Sequence, residues 1–134
     1  MRVDGRRLAV MAVCAGLLIA CEGAGSAGSK LGAGGSNATG NTVTVKSTDA
    51  MRFEPANITV KAGQPVRLTL DNRTAQLIHD WTIDSVDGAK VHTKADGRQQ
   101  STLEFTAATP GTYQVYCAEP GHREAGMVGT LVVQ

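Results

Sequence analysis

The chain has 134 residues, a formal net charge of +1 and a hydrophobic content of 42%. The balance of 13 basic against 12 acidic residues excludes a nucleic-acid surface built on positive charge and a polybasic membrane surface. Its three cysteines are Cys14, Cys21 and Cys117, and none of them forms a C-x-x-C pair. This spacing excludes thioredoxin-like redox chemistry, zinc ribbons and iron–sulfur clusters, and the length predicts one domain with or without a tail.

Residues 1–20 have the pattern of a secretory signal peptide. Arg2, Arg6 and Arg7 precede an apolar or small run from Leu8 to Ala20. A charged start, a short apolar run and a small-residue exit are typical of such signals, and the run is shorter than the roughly 20 residues of a spanning helix.

The end of this segment, Leu18-Ile19-Ala20-Cys21, resembles the signal of bacterial lipoproteins. The resemblance implies cleavage before Cys21, a lipid on its sulfur, and an extracytoplasmic protein anchored at the cell surface or at the periplasmic face of a membrane. Ordinary cleavage nearby is the alternative, and it would leave Cys21 as a free thiol in an oxidising compartment. Loss of three basic residues and one acidic residue would leave 10 and 11, a mature charge of −1.

Residues 21–41 are dominated by glycine, serine, alanine and asparagine. Such a segment buries too little apolar surface to offset its ordering entropy, so it is predicted to be a flexible linker with an r.m.s. span of ~25 Å. The linker would tie the following domain, residues 42–134, to the lipid anchor.

Residues 42–134 alternate apolar and polar side chains in a series of short runs. The alternating positions are Val43 and Val45, Ile58 and Val60, Val66 to Leu70, Trp81 and Ile83, Leu103 and Phe105, and Tyr113 to Cys117, before a final apolar run from Val128 to Val133. Turn pairs such as Asp87-Gly88 and Pro110-Gly111 separate these runs. Period-two alternation broken by turns predicts an all-β sandwich, and no segment has a helical period.

The segment from Cys117 to Met127 has the frame Cys-x4-His-x4-Met, with His122 at its centre. Taken singly, a cysteine or methionine is more often buried filler, and a histidine more often an exposed polar residue. Together, thiolate, imidazole and thioether ligands select copper, and a second imidazole would complete a trigonal His2Cys set with a long axial Met.

Two histidines could supply that imidazole. His79 stands at the start of the strand that contains Trp81, where it can face the Cys117 loop. His92 lies in the polar stretch Lys90–Lys94, which is interpreted as a surface excursion. His79 is therefore the predicted ligand.

The segment Met51–Gly63, with His79 and the Cys117–Met127 loop, resembles the cupredoxin family across residues 42–134. The loop spacing is similar to that of azurin, rusticyanin and sulfocyanin-like proteins, and longer than in plastocyanin and amicyanin. The resemblance implies an eight-stranded Greek-key β-sandwich and one type 1 copper ion. It implies His79, Cys117 and His122 as equatorial ligands and Met127 as the axial one. Ile78 replaces the glycine whose carbonyl approaches the metal in azurins, so no carbonyl ligand is expected.

The chain departs from the family at two positions near the metal. Many members have an Asn after the first His, which braces a Ser or Thr after the Cys. Here those positions are Asp80 and Ala118. Because groups around the ligands tune a metal site, the reduction potential cannot be carried over from relatives.

The resemblance implies a membrane-tethered, monomeric blue copper protein that cycles Cu(II)/Cu(I) and is not an enzyme. Donor and acceptor proteins would dock transiently near His122, on an apolar patch containing Leu77, Pro120, Ala125 and Gly126. The alternative is an extracytoplasmic copper-binding or delivery protein. Multicopper enzymes need more histidines than the three present, a binuclear CuA site needs a second loop cysteine, and the four-ligand spacing disfavours a Cys–His hydrolase.

Overall fold

The computed structural model describes residues 37–134, which form ten β-strands and no helix. The strands are β1 (Asn37–Thr39), β2 (Thr42–Thr48), β3 (Arg52–Glu54), β4 (Asn57–Val60), β5 (Pro65–Asp71), β6 (His79–Val86), β7 (Ala89–Ala95), β8 (Gln100–Thr106), β9 (Gly111–Tyr116) and β10 (Val128–Val133). In this part of the chain, no helix is long and apolar enough to cross a membrane.

The strands form two sheets, in the orders β1-β4-β10-β9-β6-β7 and β3-β2-β5-β8. Several neighbours are far apart in sequence, because the chain passes repeatedly from one sheet to the other. Thus β2 pairs with β5 and β10 pairs with β4, both in parallel, whereas β9 pairs antiparallel with β10. This architecture confirms the predicted all-β sandwich. Eight of the described strands have four or more residues, and β1 and β3 are three-residue additions to them.

The core lies between the sheets and follows the predicted alternation. Along β2 the side chains of Val43 and Val45 are buried while their neighbours are exposed, and β5 repeats this pattern through Val66, Leu68 and Leu70. Trp81 is 1% exposed and its ring lies 6.1 Å from that of Phe105 in the other sheet. Complete burial of each such large apolar side chain contributes roughly 1.5–3 kcal/mol, so these positions hold the two sheets together.

The prediction for residues 90–94 was wrong. They belong to β7, which pairs antiparallel with β6, with Thr82 opposite His92. The inward side chains Val91, Thr93 and Ala95 are buried. Because two of these three are small or polar, the alternation was weak enough to be interpreted as a surface excursion.

The ordered sandwich begins before the boundary predicted at residue 42. Residues 37–39 form β1, which pairs in parallel with β4. Asn41 then joins the two sheets, since its Oδ1 accepts from Lys61 N–H at 3.2 Å and its Nδ2 donates to the Pro65 carbonyl at 3.1 Å. The predicted signal peptide, Cys21 and the linker up to residue 36 lie outside the described residues.

One end of the six-stranded sheet gathers the residues of the predicted site. Strand β6 starts at His79, β9 ends one residue before Cys117, and β10 starts one residue after Met127. Thr82 of β6 and Val128 of β10 both pair with Tyr116 of β9. Antiparallel pairing therefore places the start of β6, the end of β9 and the start of β10 at the same end of the sheet.

Candidate metal centre

The loop from Cys117 to Met127 is closed on itself by backbone hydrogen bonds. Cys117 N–H donates to the Met127 carbonyl at 3.1 Å, and Met127 N–H donates to the His122 carbonyl at 3.0 Å. His122 N–H donates to the Glu119 carbonyl at 3.1 Å across a turn in which Gly121 has a φ of 81°. Glycine adopts this left-handed conformation at no steric cost, so the Pro120-Gly121 turn brings His122 back towards Cys117.

The side chains of His79, Cys117 and His122 converge at this end of the sandwich. Their ligand atoms all lie within 4.8 Å of one another, and Cys117 Sγ is 3.5 Å from His122 Nδ1. The two imidazole rings are 5.0 Å apart and tilted by 52°. Within residues 37–134, no other group of three His, Cys, Asp or Glu residues has this arrangement. The structure thus brings together the three residues predicted as equatorial ligands.

Met127, predicted as the axial ligand, is fully buried at the end of the same loop. Its backbone is fixed to Cys117 and His122 by the two closing hydrogen bonds. A buried methionine is also a common core filler, so burial alone does not assign its sulfur to a metal.

The imidazole of His79 has two ring nitrogens without hydrogen-bond partners. The residue is 0% exposed, and Nδ1 and Nε2 are the only buried side-chain nitrogen or oxygen atoms without a partner where side chains are described, residues 40–134. An unsatisfied buried polar group costs about 1–3 kcal/mol. Burial lowers the pKa of His79, and His122 lowers it further, while Asp49 opposes the shift. A neutral buried imidazole with unpaired nitrogens is the form that binds a metal.

The thiol of Cys117 is buried beside this ring. Burial raises the pKa of the Cys117 thiol, while backbone N–H groups of Asp80 and Glu119 oppose the shift. The Asp80 N–H donates to Sγ at 3.3 Å. A thiol with a raised pKa keeps its proton until a metal displaces it, so metal binding would release a proton. A soft sulfur with two imidazole nitrogens fits copper rather than magnesium, calcium or manganese.

Asp80 stands where many cupredoxins were said to have an Asn, and its side chain also forms a hydrogen bond to the residue after the Cys. Its carboxylate accepts the Ala118 N–H at 2.6 Å and the Thr82 hydroxyl at 3.2 Å, and the side chain is buried. Ala118 needs only its backbone for this contact. The substitution therefore preserves the link between β6 and the Cys117 loop, but it makes the acceptor a carboxylate.

His92 does not join the other two histidines. Its side chain is exposed on β7, and its Nε2 lies 3.6 Å from Asp80 Oδ2. On the same strand, Lys94 forms an ion pair with Glu119 at 2.5 Å, which ties β7 to the ligand loop. His92 is thus a neighbour of the brace and lies outside the group formed by His79, Cys117 and His122.

The segment before His79 is held by residues that the sequence reasoning missed. Asn72 is buried, and its Nδ2 donates to the carbonyls of Leu77, Ala95 and Asp96 at 2.8, 3.1 and 2.9 Å. On the other side, Asp49 accepts the N–H groups of Gln76 and Leu77 at 3.0 Å. The peptide groups around Leu77 are therefore fixed through both N–H and carbonyl. The sequence indicated these roles only by placing an Asp or an Asn beside a predicted turn.

Apolar and small residues surround the edge of the site. Leu77 is 44% exposed and Ile78 is 40% exposed, just before His79. Pro120, Gly121 and Ala125 are exposed on the ligand loop, and His122 is partly buried between them in sequence. These exposed residues include Leu77, Pro120 and Ala125 of the predicted apolar patch, whereas Gly126 is partly buried.

Comparisons with known proteins relate this chain to copper proteins. The copper-resistant cuproprotein CopI of Rubrivivax gelatinosus is 32% identical over 112 aligned positions, which cover 69% of this chain and 66% of CopI. The chain thus matches slightly less than two thirds of CopI's length. Auracyanin-A of Chloroflexus aurantiacus is 30% identical over 153 aligned positions, which cover 94% of each chain.

A solved structure, dithionite-reduced auracyanin from Roseiflexus castenholzii, has a TM-score of 0.63 and 22% identity, covering 75% of this chain and 99% of that one. At this identity the likeness supports the fold alone. A family model described as the cupredoxin-like domain matches residues 10–133. With the converging thiol and imidazoles, this match confirms the predicted cofactor, one type 1 copper ion. The chain belongs to the cupredoxin family.

Proposed function

We propose that this chain is a blue copper electron-transfer protein that holds one copper ion through His79, Cys117 and His122, with Met127 as the axial ligand. When bound, the copper supplies a one-electron Cu(II)/Cu(I) couple. The observation that carries the proposal is the convergence of one thiol and two imidazoles within 4.8 Å, with both nitrogens of the buried His79 unpaired.

The framework around the site supports electron transfer over chemistry on a substrate. His79 and Cys117 are fully buried, and so is Met127. The Cys117–Met127 hydrogen bond, the Asp80 brace and the contacts of Asn72 hold the ligand-bearing segments in one arrangement. A rigid, closed set of ligands leaves little room for substrate and requires little rearrangement when an electron is gained or lost. These features support the expectation that the chain is not an enzyme.

Partners are proposed to dock on the apolar rim, where Leu77, Ile78, Pro120 and Ala125 are exposed. His122 is the least buried of the three converging residues and lies on the loop that forms part of this rim. A small apolar surface of this kind suits a transient interface in the class below about 1,200 Å². Donor and acceptor are therefore proposed to be redox proteins that bind a monomer briefly.

The membrane tether is proposed from the sequence of the signal. A lipid on Cys21 would anchor the protein outside the cytoplasm, and residues 22–36 would separate the lipid from β1. Membrane fractionation tests this: wild type is expected in the membrane fraction, and Cys21→Ser in the soluble fraction. Equal distribution of the two proteins would contradict a lipid anchor.

The test of the copper site is the visible spectrum of the copper-loaded protein. Wild type is expected to be intensely blue, because the colour of a type 1 site requires the bond between copper and the Cys117 thiolate. Cys117→Ser should abolish the band, and the matched control Cys21→Ser should keep it. A colourless wild-type copper complex, or a band that persists in Cys117→Ser, would contradict the assignment.

A second candidate function, copper handling, is favoured by the similarity to CopI, whose name describes a copper-resistant cuproprotein. A copper-handling protein would exchange its metal readily, whereas an electron carrier keeps it in both oxidation states. Retention of Cu(I) in the presence of a competing chelator separates the two functions. Rapid loss of Cu(I) would favour copper handling.

A further inference from the structure

Asp49 faces the buried ligand ring from the other sheet. It follows β2 in the four-stranded sheet, whereas His79 begins β6 in the six-stranded sheet. Asp49 Oδ1 lies 3.8 Å from His79 Nε2, and among the described residues this is the one carboxylate within 4 Å of a nitrogen of that ring. The distance is longer than a hydrogen bond, so the contact in this structure is one between a charge and a polar ring.

The position of the Asp49 carboxylate is fixed by the backbone that leads to His79. Both of its oxygens are 3.0 Å from the Gln76 N–H, and Oδ1 also accepts the Leu77 N–H at 3.0 Å. These backbone hydrogen bonds, with a smaller contribution from His79, hold the pKa of Asp49 below its usual value. The three hydrogen bonds therefore tie the Asp49 side chain to the segment that places the ring.

We propose that Asp49 is a positioning residue for His79: its carboxylate orients the imidazole through Nε2 and leaves Nδ1 for the metal. Outer partners of this kind fix the orientation of metal-ligating histidines and raise their basicity. The negative charge also favours Cu(II) over Cu(I), so Asp49 lowers the reduction potential. This inference rests on the proposed function, because it requires His79 to be a copper ligand.

Asp87 provides a matched control for the structural role of such a carboxylate. It also lies in a turn after a strand, and it accepts the backbone N–H groups of Ala108 and Thr109 at 2.6 and 3.1 Å. No histidine is paired with Asp87 in the described part of the chain. Asp87→Asn and Asp49→Asn therefore make the same chemical change to the same kind of cap, and only the second faces a ligand ring.

The experiment measures copper affinity and reduction potential in the full-length chain, with urea unfolding of the metal-free protein as the check on stability. Asp49→Asn is expected to weaken Cu(II) binding about tenfold, the lower end of the effect of removing such a partner. If Cu(I) binding is unchanged, the potential rises by about 59 mV, the equivalent of a tenfold change for one electron. Asp49→Ser, also a neutral cap, should shift the potential in the same direction.

Asp87→Asn should change Cu(II) affinity by no more than about twofold and should leave the reduction potential close to that of wild type. The proposal is overturned if both Asp49 variants keep the wild-type potential, or if Asp87→Asn raises it equally. Loss of the blue band in the wild type itself would instead contradict the proposed function, so the two failures are distinguishable.

Discussion

Asp80 links the ligand loop to β6 through both its backbone and its side chain. The N–H reaches Cys117 Sγ at 3.3 Å, and the carboxylate accepts the Ala118 N–H at 2.6 Å. Because acceptor oxygens are present in both Asp and Asn, the brace survives the departure from the family pattern. What changes is the chemical group beside the proposed copper ligands, a carboxyl group in place of an amide, so the potential must be measured for this chain.

Gly97 is another single position that the site depends on. A Cβ at this residue would lie 2.1 Å from the Gln76 carbonyl oxygen and 2.8 Å from its carbon, in the segment that precedes His79. We predict that Gly97→Ala lowers the free energy of unfolding by roughly 1–3 kcal/mol, the usual cost of forcing extra volume into a filled space. Urea unfolding of the metal-free protein measures this change.

Gly111→Ala is the control for this prediction. A Cβ there would meet the Tyr113 ring at 3.6 Å or more, an ordinary contact. Its free energy of unfolding should stay within about 0.5 kcal/mol of the wild-type value. Equal stability of the two variants would mean that the segment before His79 moves away from Gly97 without cost.

Sequence reasoning anticipated the residues that converge and missed the residues that hold them. The Cys-x4-His-x4-Met spacing is local, so it predicted Cys117, His122 and Met127 as ligands from one loop, and the structure brings the first two together with His79. By contrast, the hydrogen bonds of the Asp49 side chain join residues 27 or 28 positions apart in sequence. Those that the Asn72 side chain donates join residues 5 to 24 positions apart. Contacts between distant turns leave no periodic pattern, and both residues could be interpreted only as turn formers.

At the scale of elements, strands with large inward apolar residues were predictable from the sequence. Strands with small or polar inward residues, and very short strands, were not. Alternation of Val, Leu, Ile and Trp identified β2, β5 and β6, whose buried faces form the core. In β7 the inward residues are Val91, Thr93 and Ala95, so the hydrophobic contrast is weak. Strand β1 has three residues in a glycine-rich stretch, and its pairing with β4 depends on the rest of the sheet.

The arrangement of these elements explains why the site forms where it does. Strands β6 and β9 run antiparallel, as do β9 and β10, so the start of β6, the end of β9 and the start of β10 meet at one end of the sheet. The pairing places His79, at the start of β6, beside the loop between β9 and β10 that carries Cys117, His122 and Met127. The proposed ligand set therefore depends on the sheet as a whole.

At the scale of the molecule, near-neutral charge and an apolar rim predict docking with little electrostatic steering. The full chain carries +1, and the exposed residues Leu77 and Ile78 lie beside the site. We predict that Leu77→Asp slows electron self-exchange between Cu(I) and Cu(II) copies about tenfold or more, because a desolvated charge in an interface costs on the order of 1.4 kcal/mol or more. Line broadening in NMR spectra of mixed oxidation states measures this rate.

Thr106→Asp introduces the same charge on an exposed residue at the other end of the sandwich. Thr106 pairs with Pro65 at the start of β5, whereas the end of β5 leads to the segment before His79. The electron self-exchange rate of the Thr106→Asp variant should remain close to that of wild type. Equal slowing by both substitutions would show that net charge controls the encounter and that the rim does not.

The most direct test of the copper site as an electron carrier is a spectroelectrochemical titration of the copper-loaded protein. We predict one copper per chain and a blue band that bleaches on reduction and returns on oxidation along a single one-electron curve. Copper should remain bound throughout, even with a competing chelator present. A copper complex without the blue band, or loss of copper on reduction, would contradict the account.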